Sequence, residues 1–416
     1  MENIQRQLRA AKQASLQLGQ CSNAVRKDFL LRLAELLRAQ VATILLENLK
    51  DLELMDLADS RYDRLLLDEA RVYALADAVL ELRQLEDPTG KLLATHKLDN
   101  GLLVEKKTVA LGVVAVIYES RPNVTVDVAA LCIRSGNVCL LRGGSDAWHT
   151  NTVLVKLIQA ALSAASIDPD SVQLLPTDRA FVTELLTATA YVDIIIPRGS
   201  QALIDRVRAQ ATVPVIETGA GVCHTYVEAS ADLEKAAKIV ANAKISRPSV
   251  CNALDTILVD KQIATDFLQR LLPYFKASAV EIFAEEPLYS SLKHMDYPWL
   301  QQAQEADFGR EFLDLKCSIR AVSSLEEALA HISIHSSKHS ECIVSENATQ
   351  ISTFMNSVDA AAVYANASTR FTDGGQFGLG AEIGISTQKL HARGPFALEK
   401  LVSEKWYVTG DGQIRE

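Results

Sequence analysis

No CxxC pair occurs among the seven cysteines of this chain, and their number is odd. A disulfide framework and a zinc ribbon both need paired cysteines, so neither is expected, and any special cysteine is a reactive thiol. Long apolar runs are missing as well: Leu111 to Tyr118 is the longest useful one, far short of the roughly 20 residues of a membrane span. The opening stretch MENIQRQLRAAKQASLQ carries charge throughout and lacks a signal-peptide apolar core, so a cytoplasmic protein is expected. Positive charge is in deficit, 42 Lys plus Arg against 52 Asp plus Glu, for a net charge of −10. Such a surface disfavours nucleic acid, and it repels anionic small molecules unless cations are gathered locally. No internal repeat or low-complexity tract occurs, and no Walker loop, HExxH or GxSxG motif.

What is present reads as a two-lobed α/β protein. The length of 416 residues allows two or three compact units. Apolar positions recur at spacings of three and four through Ile4–Leu18, Phe29–Leu37, Val41–Leu54 and Leu65–Leu85, which predicts helices. In GLLVEKKTVALG the period changes: Leu102, Val104, Lys106 and Thr108 fall on one face of an antiparallel ribbon. Leu111 to Tyr118 then reads as a strand buried on both faces, followed by a helix over Val124–Arg134, strands at Val138–Leu141 and Val192–Ile196, and a helix between them over Ala147–Ala165. That alternation predicts a doubly wound, Rossmann-type parallel sheet. A second series begins near His224, with strands at Thr256–Val259 and Ile343–Val344 and helices at Asp232–Lys244, Ile263–Tyr274 and Leu325–His331.

The sharpest chemical signal is SRPSVCNALD. Cys251 follows a Ser-Arg-Pro-Ser turn and precedes a strand, and a nearby cation such as Arg247 favours the thiolate a nucleophile needs. A buried structural thiol is the competing reading; Cys132, Cys139 and Cys342, set in apolar runs, read as core. Glycine loops close several strands: Arg142, Gly143, Gly144 and Ser145; Gly199 and Ser200; and Glu217 to Gly221. Backbone N–H groups in such loops approach phosphate, although none matches the GxGxxG fingerprint. Arg121, Arg142, Arg198, Arg247, Arg370 and Arg393 all lie in or beside loops of this kind, which points to anionic ligands on an otherwise acidic chain. His331, His335 and His339 are spaced by four, but Ser and Ile between them are poor helix company and no acidic ligand matches the spacing, so no metal is expected.

The blocks YESRPNVTVD, GNVCLLRGGSDAWHTN, IPRGSQALI, VIETGAGVCHTYVE, NAKISRPSVCNALDTILV, STRFTDGGQFGLGAEIGISTQKLHARGP and EKWYVTGDGQIRE together resemble, in order, the signature blocks of the gamma-glutamyl phosphate reductase family. That family is a divergent branch of the aldehyde dehydrogenase superfamily. The resemblance implies an NADPH-dependent reduction of L-glutamate 5-phosphate to the 5-semialdehyde in proline synthesis, with Cys251 as nucleophile. It implies an oxyanion donor at Asn123 or Arg121, and cofactor contacts from Arg142, Gly143, Gly144, Ser145, Gly199, Ser200 and Glu217. Arg121, Arg247, Ser368, Thr369 and Arg370 are implied for the substrate. It further implies a cofactor domain over residues 1–102 and 111–227, a catalytic domain over 228–375, a return segment over 376–401, and an oligomerisation ribbon over 103–110 and 402–416. A homo-oligomer and a transient contact with glutamate 5-kinase belong to the same expectation, with no kinase fused ahead of the reductase. The alternatives are a CoA-acylating or hydrolytic aldehyde dehydrogenase, or a non-catalytic relative.

Overall fold

The computed structural model describes residues 2–57, 59 and 61–415. The chain divides into two compact units, the first over residues 1–218, 378–384 and 395–416, the second over 219–377 and 385–394. No helix among the described residues is long and apolar enough to cross a membrane.

In the first unit, helices Glu2–Leu18, Asn23–Ala39, Val41–Leu52 and Glu69–Gln84 precede the sheets. Their starts follow local chemistry: the Ser22 hydroxyl accepts from Val25 N and the Asp68 carboxylate from Arg71 N, each satisfying a backbone donor that the first turn leaves open. Strands β1 (Leu92–Lys97) and β2 (Leu103–Ala110) pair antiparallel. Next come β3 (Val113–Tyr118), β4 (Val138–Arg142), β5 (Val172–Leu174) and β6 (Ile194–Arg198), which form a parallel sheet in the order β5-β4-β3-β6. All six residues of β3 are buried, as expected of a strand covered on both faces. Strand order reverses between β3 and β6, so the crevice beyond their carboxyl ends is the topological switch point where α/β sheets take ligands.

The second unit carries a seven-stranded parallel sheet of β7 (Cys223–Val227), β8 (Leu254–Asp260), β9 (Glu281–Ala284), β10 (Leu300–Gln302), β11 (Lys316–Val322), β12 (Ser340–Val344) and β13 (Ala362–Ala365), in the order β10-β9-β11-β8-β7-β12-β13. Its largest apolar core packs helices Leu233–Ile245 and Ala264–Ala277, through Val240, Phe267, Leu271 and Phe275, against Leu254, Ile257 and Ile319 of the sheet. After β13, β14 (Glu382–Ser386) and β15 (Gly394–Ala397) form a two-stranded sheet, and β16 (Val402–Thr409) pairs antiparallel with β2.

Three expectations shift. A unit boundary at residue 227 would place β7 with the cofactor sheet, yet β7 pairs with β8 and β12 in the second sheet, so the division falls at 218/219. The ribbon gains β1, which a helical reading of the first hundred residues leaves out. The helix expected to stop at His331 runs from Leu325 to His335, where burial of Leu325, Ala328 and Ile332 in an apolar cluster overrides the weak helix propensity of its serines and isoleucines.

Candidate active site

Within the second unit, Cys251 lies in the turn between helix Leu233–Ile245 and β8 and is partly exposed, whereas Cys132, Cys139, Cys223, Cys317 and Cys342 are buried. The turn is pressed against the start of β7. A Cβ built on Gly221 would lie 1.5 Å from the Cys251 carbonyl oxygen and 2.4 Å from its carbonyl carbon, so only glycine lets these backbones approach. The Cys223 thiol donates to the same carbonyl at 3.3 Å, and burial pushes that thiol well above its ordinary pKa, which keeps it a donor. Gly221 N donates to Glu311 Oε1 at 2.9 Å, which ties the approach from the other side.

Asn252, the next residue, is buried and joins this turn to the segment from Ser368 to Thr372. Its amide nitrogen donates to Thr372 O at 2.9 Å and Arg370 O at 3.3 Å, its own carbonyl accepts from Thr369 Oγ1 at 2.8 Å, and its side-chain oxygen accepts from the Arg370 guanidinium. Ser368 caps the short 3-10 turn Thr369–Phe371. Arg370 Nε donates to Ser246 Oγ at 3.2 Å. Burial lowers the Arg370 pKa and the exposed Arg247 lowers it further, while Cys251 and Asp373 pull it back. Thus Cys251, Arg247, Ser368, Thr369 and Arg370 come together. Asn252 was not singled out from sequence because its partners lie 118 and 120 residues away. Replacing Asn252 with alanine removes several buried hydrogen bonds at once and is expected to cost about 2–3 kcal/mol of stability, read by denaturant unfolding.

Beneath the turn runs a buried polar layer. Lys244 Nζ lies 3.5 Å from Asp255 Oδ1 and donates to Asp314 O at 3.1 Å. Burial pushes the Asp255 carboxyl up to about 6 against the pull of Lys244. Glu341 accepts from both N and Nδ1 of His224, at 2.8 and 3.0 Å. His331 and His335 share a helix with ring centroids 4.4 Å apart, and His339 lies beyond its end, hydrogen-bonded to Ser340.

The remaining predicted residues belong to the first unit, most of them in the loops that follow the carboxyl ends of β3, β4 and β6. Arg121 precedes helix Pro122–Arg134, and the Asn123 amide donates to Asp127 Oδ2 at 3.3 Å, one turn on. Burial raises the Asp127 carboxyl to about 6, opposed by Arg198 and Asn123. Ser120 takes φ of 41°, an uncommon left-handed setting for a non-glycine residue, at the end of β3. Gly199 and Ser200 lead from β6 into helix Gln201–Gln210, as the sequence suggests. The Ser200 N–H at that helix start is already taken: Glu119 Oε2 accepts it at 2.9 Å, and a Cβ on Gly199 would lie 2.5 Å from the same oxygen. A carboxylate here shows that the helix terminus receives anions. Arg142 ends β4 and donates to Thr177 O at 2.6 Å, while Gly144 and Ser145 lead into a 3-10 turn whose Asp146 lies 3.9 Å from the Arg61 guanidinium. Glu217 faces Arg208 at 3.5 Å. Glu119 and Asp127 were not anticipated, although Asp127 stands four residues after Asn123, the spacing that brings helix side chains together.

A model of the aldehyde dehydrogenase family matches residues 1–286. A gamma-glutamyl phosphate reductase of Chlorobaculum parvum is 51% identical over 416 residues, covering 100% of this chain and 99% of that protein. One of Legionella pneumophila is 50% identical over 415 residues, again covering 100% and 99%. The crystal structure of the gamma-glutamyl phosphate reductase of Thermotoga maritima is 40% identical, covers 99% of each chain and superposes with a TM-score of 0.93.

Proposed function

Since the chain belongs to the aldehyde dehydrogenase family and, within it, to the gamma-glutamyl phosphate reductases, we propose that it reduces L-glutamate 5-phosphate to L-glutamate 5-semialdehyde with NADPH, through a thioester on Cys251. The Cys251 sulfur attacks the acyl carbon, the bond from that carbon to the phosphate oxygen breaks, and phosphate departs with the electron pair. A nicotinamide cofactor, when bound, would supply the hydride for the thioester carbonyl. The resulting hemithioacetal collapses, its oxygen re-forming the carbonyl as the carbon–sulfur bond breaks, and Cys251 recovers its thiolate. No water is activated in this direction, so no general base for deacylation is needed.

Negative charge develops on the acyl oxygen at both tetrahedral stages. The Cys251 backbone N–H is one donor in this reading, with the amide of Asn123 or the guanidinium of Arg121 as the other; loss of one such donor typically costs about 3–4 kcal/mol. Arg370, with Ser368, Thr369 and Arg247, holds the carboxylate and the transferred phosphate. Arg142, with Gly143, Gly144 and Ser145, holds the adenosine ribose, and the Ser200 amide at the end of Gly199 the pyrophosphate. The residues fit an anionic nucleotide: an arginine rather than a carboxylate ends β4, which suits a 2′-phosphate, and a pyrophosphate at the Ser200 N–H would take the place of the Glu119 carboxylate there. Residues 1–102, 111–218 and the returning segments form the cofactor domain, and 219–377 the catalytic domain. The ribbon of β1, β2 and β16 exposes Trp406, Val408 and Leu92. We assign it to pairing with a second copy, since an uncovered apolar ribbon is prone to associate.

The observation that carries this reading is the partly exposed Cys251, held in a backbone contact only Gly221 allows and sharing Asn252 with Arg370. Its test is the reverse reaction. Oxidation of glutamate semialdehyde by NADP should require inorganic phosphate to release the acyl group; turnover that is independent of phosphate, or that needs coenzyme A, would remove the reductase reading.

A further inference from the structure

A pocket of about 300 Å3 is lined by Asn242, Ser246, Arg370, Phe371, Asp373 and Gln376, with both a cation and an anion among its walls, and the cation is the arginine whose charge Cys251 acts on. Opposite charges this close usually neutralise one another. Here they do not: the Arg370 guanidinium is held by Asn252 and Ser246, and Asp373 Oδ1 accepts from Gly375 N at 2.9 Å and Gln376 N at 3.2 Å. Among the described residues no ion pair joins the two, although Asp373 acts on the Arg370 charge. Each side chain is thus held in place by neutral hydrogen-bonding partners. Exposed Phe371 adds an apolar wall between them.

A ligand that answers both charges is a zwitterion with a short alkyl chain. Resting on the reading above, we propose that this pocket binds the α-amino-acid end of the glutamyl group, with Asp373 taking the α-ammonium while Arg370 takes the α-carboxylate and Phe371 covers the methylenes. Asp373 then determines specificity for an amino acid over a plain dicarboxylic derivative. The pairing also has a chemical use. An unprotonated α-amine stands one five-membered ring from C5 of its own chain, where intramolecular attack is strongly favoured. Its nitrogen would bond to C5, expel phosphate or the Cys251 thiolate, lose a proton and leave the lactam 5-oxoproline. An ammonium held on Asp373 has no lone pair to attack with, so the acyl group survives until it is reduced.

The test compares the intact enzyme with its Asp373→Asn variant, which keeps the oxygen that accepts from Gly375 and Gln376 and so keeps the loop. Both are assayed for phosphate-dependent oxidation of glutamate semialdehyde and of 5-oxopentanoate, the same aldehyde without the amino group. The ratio of kcat/KM for the amino substrate over the des-amino one is expected to fall at least tenfold in the variant. An unchanged ratio, or an equal loss on both substrates, overturns the proposal. Phosphate-independent turnover by the wild-type enzyme would instead strike the reaction assigned to Cys251, and the ratio would still judge the headgroup pocket separately.

Discussion

Cys251→Ala is expected to lower phosphate-dependent oxidation of glutamate semialdehyde by roughly four to six orders of magnitude, the scale seen when a covalent nucleophile is removed from its machinery. The loss should fall on kcat, because the residues assigned to the substrate are untouched and alanine fills the site without strain. Wild-type enzyme given aldehyde and NADP without phosphate should accumulate an acyl group, detectable in acid-quenched protein as an added mass that hydroxylamine removes. The alanine variant should show none. Full activity in Cys251→Ala, or an acyl adduct that survives in it, would show that the thioester forms elsewhere or not at all.

The second large effect is structural in origin but catalytic in outcome. Gly221→Ala would place a methyl group 1.5 Å from the Cys251 carbonyl oxygen and 2.9 Å from its Cα. Those atoms are backbone, so no side-chain rotation relieves the overlap and the turn itself has to move. Overpacking of this kind typically costs about 1–3 kcal/mol, occasionally more. A displacement near 1 Å at a reacting group costs about 100-fold in rate, so kcat/KM should drop at least that far while the protein still folds. Near-normal kinetics in a folded Gly221→Ala protein would mean that the Cys251 turn tolerates a shift that the mechanism forbids.

How far the sequence foretold the structure depended on the distance over which each feature is encoded. Strands β3, β4 and β6 announce themselves as short apolar runs, and their observed limits differ from the expected ones by one or two residues. Strand β5 has only three residues, too few for any periodicity, and β1 is mostly exposed, so its alternation is weak. Leu325–His335 continues past the expected end because its buried face packs into an apolar cluster, a tertiary contact that propensity alone does not see. At the site, Cys251 stands out through its neighbours in the chain. Asn252, Glu311 and Asp373 do not, because each acts on a segment far away in sequence or on a pocket that exists only after folding. The roles of Asn252 and Arg370 are legible only together, through a hydrogen bond that spans 118 residues.

The distribution of thiols described above also offers a way to count sites if Cys251 is the nucleophile. Five of its seven cysteines are buried, and the other partly exposed one, Cys21, has a thiol whose pKa burial pushes up. A limiting dose of iodoacetamide at neutral pH is therefore expected to partition toward Cys251, and if Cys251 is the nucleophile proposed above, the moles of label bound at the first plateau should equal the moles of competent enzyme. Cys21→Ala would clear the slow second phase, so that preparations can be normalised by titre rather than by mass before any two variants are compared.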